Sequence, residues 1–353
     1  MSGSIRYSIG TFSGADGVPF PALIIDENVY PLSKLPEVNL SVKHCSTTLA
    51  LFDQWESVLP QLNAAAALLY AQPSGDGIAQ SELRTEAPIM PRQIVCAGAN
   101  YYKHVFDMIV DSVEIGGDVG QTQEERRASA SKIMDHRREH GQPFCFLKPV
   151  STILAPFDDF PVPPDSTKPD WELELAVVIG RSARRVSRAQ ALDYVAGYTI
   201  ANDITSRDHL RRKDMPALGM DWVASKGKPG YCPLGPMILP AQFIEDPQDL
   251  WIELKLNGEV MQSESTADMI FELTQIIEFI STHIKLLPGD IVCTGSPSGN
   301  GTHYNRFLTP GDIMEGTISG LGTQRNHCVA EELPEGAVTH RPFTPLEIKS
   351  EGS

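Results

Sequence analysis

Residues 171–180 read WELELAVVIG, and this stretch decides how the chain is to be understood. Leu173, Leu175 and the run from Ala176 to Ile179 have the near-continuous apolar character of a strand buried on both faces. Within it stand two carboxylates, Glu172 and Glu174, two residues apart, so a strand sends both to the same side. Burying two like charges side by side is costly unless a cation or hydrogen-bond donors answer them, and a divalent metal is an economical answer. Asp203, at the end of YTIANDI, is a candidate third ligand. Three hard oxygen donors with no neighbouring His or Cys suit Mg2+, Mn2+ or Ca2+ better than zinc. The alternative on spacing alone is a solvated or Arg181- and Arg184-paired sheet edge.

Outward from this strand, the pattern from Phe144 onward is one of strands separated by Pro, Gly and Asp. FLKPVSTIL, YVAGYTIANDI, LWIELKLNG, GDIVCTGSP and GDIMEGTISGLG are all strand candidates. Asn257-Gly258 marks a hairpin, and Pro-Gly-Asp turns at Pro288–Asp290 and Pro310–Asp312 precede further strands. RAQALDYVAGYT and MIFELTQIIEFISTHI read as helices, the second with Met269, Ile270, Leu273, Ile276, Ile277 and Ile280 on one face. Before the hinge at EAPIMPRQ, SIRYSIGTF and FPALIIDENVYPL are short strands, and LFDQWESVLPQLNAAAALLYAQ has helical spacing interrupted by Pro60. IVCAGANYYKHVFDMIV is a strand turning at Gly98 into a short helix that Asn100 could cap. The expected fold class is α+β, with a smaller amino-terminal α+β domain over 1–90, a larger domain over 91–332 and an extended polar tail over 333–353. No internal repeat is visible.

Composition excludes several functions. The 353 residues carry 45 Asp+Glu against 29 Lys+Arg, a net charge of −16, and the basic residues are not gathered on one stretch, so nucleic acid is a poor partner. A mean hydropathy of −0.16 and 41% hydrophobic residues indicate a globular chain with a substantial core. No apolar run long enough to span a membrane and no secretory leader pattern occur, which makes the cytoplasm the default address. The six cysteines are far apart with no CxxC pair, and read as small buried hydrophobes.

The stretch from Ile94 to Ala330 resembles the fumarylacetoacetate hydrolase family. The matching segments occur in family order: CAGANYYKHVFDM, FLKP, WELELAVVIGR, DYVAGYTIANDITSRD, SKGKPGYCPLGP, LKLNGEVMQ, LLPGDIVCTGSPSGNG and FLTPGDIMEGTISGLG. The resemblance implies a carboxy-terminal mixed β-sandwich roll over 91–332 that commonly pairs as a homodimer. It also places the family's Glu-x-Glu and distant Asp metal motif on Glu172, Glu174 and Asp203, holding Mg2+ or Mn2+.

The resemblance sets further roles. His104 and Asp107 in KHVFDM, three apart on a helix, fall within hydrogen-bonding range; taken alone they are a base with its orienting carboxylate or an exposed surface pair. Family hydrolases carry His-x-x-Glu here on a lid, and Asp107 is one methylene shorter. Arg207 matches a family arginine, and Lys226 the family's site lysine, with Lys228 the fallback should the loop be shifted. Ser296 in TGSPSG stands where the family has Thr, and Leu210 where many members have Gln, which points to a more apolar substrate tail. The function implied is acylpyruvate or fumarylpyruvate hydrolase-like: Mg2+- or Mn2+-dependent hydrolytic cleavage of a C–C bond in a β-diketo acid, a small anionic 2-oxo acid, in catabolism of aromatic or sugar-derived acids. The alternatives are an isomerase or decarboxylase of a related 2-oxo acid, including oxaloacetate, and a metal-stabilised binding protein with a decayed site. His136-x-x-Glu139-His140 fits an inverted zinc-peptidase pattern, but QEERRASASKIMDHRREH is polar nearly all round and has little to bury as a catalytic face. TGSPSGNG lacks the Gly-Lys-Ser/Thr ending of a P-loop.

Overall fold

The computed structural model describes residues 5–71, 77–111, 122–341 and 343. Strand Leu173–Ile179 lies inside a six-stranded mixed sheet. Its order is Leu239–Pro240, Val195–Asn202, Leu173–Ile179, Ile291–Cys293, Ile94–Gly98, Phe144–Lys148. All seven residues of this strand are buried, because a layer covers each face. Leu173, Leu175, Val177 and Ile179 join one apolar cluster with Ile252, Leu254 and helix Leu273–His283. Ala176 and Val178 join a second cluster with Trp55, Leu62 and Ile9 from the amino-terminal piece. Period-two alternation therefore divides the strand between two cores, and Glu172 and Glu174 belong to the parity of Ala176 and Val178.

The first core layer belongs to a five-stranded sheet ordered Glu259–Ser265, Trp251–Leu256, Ile313–Ile318, Gly322–Ala330, Phe160–Val162. Its Asn257-Gly258 turn has φ of 54° and 83°, the two left-handed residues of a type I′ hairpin. The second core layer comes from a sheet ordered Ile78–Ala79, Asn28–Pro31, Pro19–Ile25, Ser8–Ser13, Arg84–Thr85, with helix Trp55–Ala71. Apolar residues of the amino-terminal piece are thus continuous with Cys96, Cys232 and Cys293 of the larger sheet. The architecture is a mixture of α and β with several sheets and few helices, as the sequence pattern anticipates.

Three local expectations are corrected. RAQALDYVAGYT is not a helix: Arg188–Tyr194 forms a 3-10 segment and Val195–Asn202 is a strand. The strand pairs with Leu173–Ile179 and Leu239–Pro240, and Gly197 permits the second pairing, since a Cβ there would stand 2.4 Å from the Leu239 carbonyl oxygen. Helix Trp55–Ala71 runs through Pro60 without breaking. Asn100 does not cap helix Tyr102–Asp111. Its buried amide donates to the Phe271 and Thr294 carbonyls and accepts from the Phe271 N–H, pinning the helix entry to the sheet. All six cysteines are free, four of them buried.

Truncation of Leu175, which is completely buried, should cost about 2–5 kcal/mol as Leu175→Ala. The same change at Leu147, 59% exposed, should stay within about 0.5 kcal/mol. Urea unfolding of the two variants measures both.

Candidate active site

Antiparallel register brings the acidic residues together. Leu173 pairs with Asn202 and Glu174 with Ala201, and the ladder continues one step, with the Asp203 N–H donating to the Glu172 carbonyl at 2.8 Å. Asp203 thus stands opposite Glu172, and cross-strand partners share a face. Glu172, Glu174 and Asp203 are all buried, with one carboxylate oxygen from each lying within 4.8 Å of the others.

Cations meet most of this charge. Lys226 Nζ donates to Glu172 at 2.6 Å and to Asp203 at 2.5 Å. Lys148 Nζ, also buried, reaches the other Asp203 oxygen at 2.7 Å. Arg207 bridges Glu172 at 2.5 Å and Asp170 at 2.7 Å. Burial alone would raise the Glu172 carboxyl, but Arg207 and Lys226 outweigh it and hold it well below the ordinary carboxylate range. Burial likewise works against charged Lys226, yet Asp203 and Glu172 raise it. Glu174 is the exception: it accepts the Gly295 N–H at 2.7 Å, and no cation contacts it among the described residues. Burial, then the Asp203 and Glu172 charges, push it well above the usual carboxylate value. Counting Asp170, four carboxylates face three cations, and the excess resides on Glu174.

An all-oxygen set of three buried carboxylates, one lacking a compensating charge, fits a hard divalent cation. Arg181 and Arg184, the alternative partners, are committed elsewhere: Arg181 to Glu56 and the Asp193 carbonyl, Arg184 to the Ser281 and Thr282 carbonyls. The sheet-edge reading is thereby excluded. His136, Glu139 and His140 are exposed on helix Gln123–His140 and form no metal-ligating group among the described residues.

The triad opens into a cavity of about 460 Å³ that Arg207, Lys226, His104, Leu210 and Ser296 also line. His104 is half-buried on helix Tyr102–Asp111. Burial lowers its imidazole to about 4 against the opposing pull of Glu172, which leaves it neutral at physiological pH. The expected His104–Asp107 hydrogen bond is not made: Asp107 instead accepts from the Ser298 hydroxyl at 3.0 Å. Ser296 Oγ accepts from the Gln262 amide at 2.8 Å and donates to the Pro297 carbonyl. Lys228 is turned away to Asp165 at 2.7 Å, so Lys226, not the fallback, reaches the cluster.

Two site residues escape sequence reasoning. Asp170 is fully buried and accepts Arg207 and the Gly301 and Thr302 N–H groups; its only signal is adjacency to WELE. Lys148 stands in the family-like FLKP segment, a clue that its position alone carried. The tail beyond 332 lies partly outside the described residues. Within them, the His340 ring lies tilted against that of His209, two residues after Arg207, with centroids 4.0 Å apart, and the His340 backbone N–H donates to Asp165.

Residues 93–329 match the family model for the fumarylacetoacetate (FAA) hydrolase C-terminal domain, and the chain belongs to that family. Among curated relatives, the 2,4-didehydro-3-deoxy-L-rhamnonate hydrolase of Sphingomonas sp. is 41% identical over 52% of this chain and 64% of its own length. The chain therefore spans just under two thirds of that relative. Human mitochondrial oxaloacetate tautomerase FAHD2B is 33% identical over 70% of each chain. In three dimensions, a probable 2-hydroxyhepta-2,4-diene-1,7-dioate isomerase from Mycobacterium abscessus aligns with a TM-score of 0.68 and 28% identity, covering 92% of this chain and 100% of its own. Hydrolase, tautomerase and isomerase chemistries all occur within the family. No helix among the described residues is long and apolar enough to cross a membrane.

Glu174 sets a proton-linked expectation. With its carboxyl raised in the folded protein, the native state binds more protons than the unfolded one above the usual Glu value, so metal-free stability falls as pH rises through that window. A divalent cation needs the carboxylate, so its binding should release a proton wherever Glu174 is still protonated in the metal-free protein. Calorimetry of Mn2+ binding in buffers of different ionisation enthalpy measures this, and Glu174→Gln should abolish both the release and the metal-induced rise in Tm. Proton release unchanged in that variant would assign it to another group.

Proposed function

We propose that the protein is a Mg2+- or Mn2+-dependent enzyme that hydrolyses a C–C bond in a β-diketo acid of the acylpyruvate type. The observation that carries this reading is the placement of a neutral, half-buried His104 in the same cavity as the carboxylate triad. A divalent cation held by Glu172, Glu174 and Asp203 would supply Lewis-acid polarisation of the substrate's 2-oxo acid oxygens.

This chain's own groups account for the rest. His104 Nδ1 or Nε2, whichever faces the cavity, accepts a proton from water. The water oxygen bonds to the carbonyl carbon remote from the 2-oxo acid. The bond from that carbon to the intervening methylene breaks, and its electron pair passes to the 2-oxo acid portion. The methylene carbon then takes up a proton, giving a carboxylic acid and a 2-oxo acid. Lys226 and Arg207 fix the carboxylates and place positive charge beside the substrate anion. Phe144, Phe146, Trp222, Met108, Leu210 and Met220 give the cavity an apolar side.

One observation favours a second reading, enol–keto isomerisation on the same scaffold. Asp107 is bonded to Ser298, so His104 lacks the carboxylate that would orient it for attack by water. Proton transfer between carbon and oxygen of a 2-oxo acid needs only the base, and likeness to oxaloacetate tautomerase supports that possibility.

Metal-loaded protein incubated with a panel of acylpyruvates and with oxaloacetate, followed by NMR, discriminates the two. Hydrolysis gives pyruvate and the matching acid, is lost with EDTA and restored by Mg2+ or Mn2+. Enol decay without cleavage transfers the assignment to an isomerase, and decarboxylation alone overturns the hydrolase. His104→Asn should lower kcat by about 10²–10⁴-fold. Because the imidazole is held down near 4, kcat/KM should remain on its plateau as pH drops through 6.5; an acid limb at 6.5 would show that another group is the base.

A further inference from the structure

One part of the cavity lining has almost no core beneath it. Of residues 207–221, which join Arg207 to the helix carrying Lys226, only His209 is buried. The segment closes on itself: the Asp221 N–H donates to the Leu210 carbonyl at 2.8 Å, and the Arg212 N–H to the Gly219 carbonyl at 3.2 Å. Arg212 also grips Asp214 at 2.6 Å and Asp221 at 3.3 Å, and Asp221 caps helix Trp222–Lys226 by accepting the Ala224 N–H. Leu210 and Met220, at the two ends of this loop, line the cavity. A loop closed by its own hydrogen bonds but lacking a buried apolar face belongs to the low-stability end of a structure.

The carboxy-terminal tail answers that deficit. Beyond strand Gly322–Ala330 the chain turns at residues 334–337, where the Ala337 N–H donates to the Pro334 carbonyl and Gly336 takes a φ of 78°. It then reaches Asp165. The carboxylate there accepts the His340 N–H and Lys228 Nζ, each at 2.7 Å, while the Asp165 carbonyl accepts His209 Nε2 at 2.9 Å. The Phe343 ring lies 5.1 Å from that of His340 and 4.5 Å from the Arg212 guanidinium carbon. Two tail rings therefore meet the two anchors of the loop: His340 against the His209 ring, and Phe343 against the Arg212 cation. Asp208 is fixed independently by the Ser166 hydroxyl and the Thr167 N–H, each at 2.7 Å, so the tail's contribution begins at His209.

We propose that His340 and Phe343 are positioning residues: the tail straps the loop of residues 209–221 to the Asp165 corner and so holds Leu210 and Met220 in the cavity lining. The inference rests on the proposed function only in taking this cavity as the place where substrate binds. The triad and His104 lie on other segments and are untouched by the strap. Loss of the strap therefore loosens the fit around bound substrate without removing a group that reacts.

Hydrogen–deuterium exchange on the full-length chain tests this. In His340→Ala/Phe343→Ala, amides of residues 210–221 should exchange about tenfold or more faster, while those of strand Leu173–Ile179 keep their wild-type rates and Tm stays within about 2 °C. His340→Phe/Phe343→Tyr keeps both rings and should return exchange to within about threefold of wild type. With any 2-oxo acid that the enzyme turns over, the alanine pair should raise KM about 3- to 10-fold and leave kcat within about twofold. Unchanged exchange over 210–221, faster exchange throughout the molecule with a fall in Tm, no recovery in the aromatic pair, or a lowered kcat with KM unchanged overturns the inference. Exchange needs no substrate, so absence of turnover in the acylpyruvate panel would sink the hydrolase reading without deciding this one.

Discussion

Crowding of Glu172, Glu174 and Asp203 is the constraint around which the remaining structure is organised. A strand buried on both faces has no solvent in which to hide a carboxylate, and the antiparallel ladder forces Asp203 against Glu172. The fold answers with Lys148, Arg207 and Lys226, drawn from three separate segments. Asp170 has Arg207 alone as its cation among the described residues, so removal of Arg207 leaves a buried charge without its partner, typically a loss of about 3–5 kcal/mol, whereas Glu172 and Asp203 each keep a second cation when one is removed. The cluster therefore ties the loop that carries Arg207, the short helix Trp222–Lys226 and strand Phe144–Lys148 to the central strand. It serves as an electrostatic clasp before any ligand is considered.

The clasp is deliberately short of one charge. Were all four carboxylates matched, a divalent cation would have to displace a native ion pair to enter. Glu174 instead faces the cavity with a single backbone donor, so a proton or a metal can neutralise it without taking a cation from it, while the oxygens of Glu172 and Asp203 already accept from Arg207, Lys226 and Lys148. In the proposed reaction, substrate groups would meet a site whose field is set by Arg207 and Lys226, held in place because their donors are committed to carboxylates.

Much of this was legible in the sequence because it rests on local rules. Strand parity places Glu172 and Glu174 together, the Asn257-Gly258 hairpin follows from two left-handed residues, and the ordered family-like segments point to Asp203, Arg207 and Lys226. What escaped was non-local. Lys148 meets Asp203 across 55 positions, and nothing near FLKP announces the encounter. Asp107 shows the converse failure: helical spacing correctly puts it near His104, but Ser298, 191 residues away, takes the carboxylate. Helix spacing states which groups can meet and leaves their competitors unnamed. The misread RAQALDYVAGYT has the same origin, since its second half is held as a strand by pairing with Leu173–Ile179 and Leu239–Pro240, partners that its own residues do not announce.

Net acidity of −16 would oppose the anionic substrate proposed above, and the cavity bears on how that opposition is met. At physiological ionic strength charges are screened beyond about 8 Å, so the surface acids impose a weak, diffuse repulsion. Lys226 is buried and Arg207 largely so, and attraction is stronger per charge where solvent is reduced. Recognition must therefore be made over the last few ångströms, by groups aimed at particular atoms.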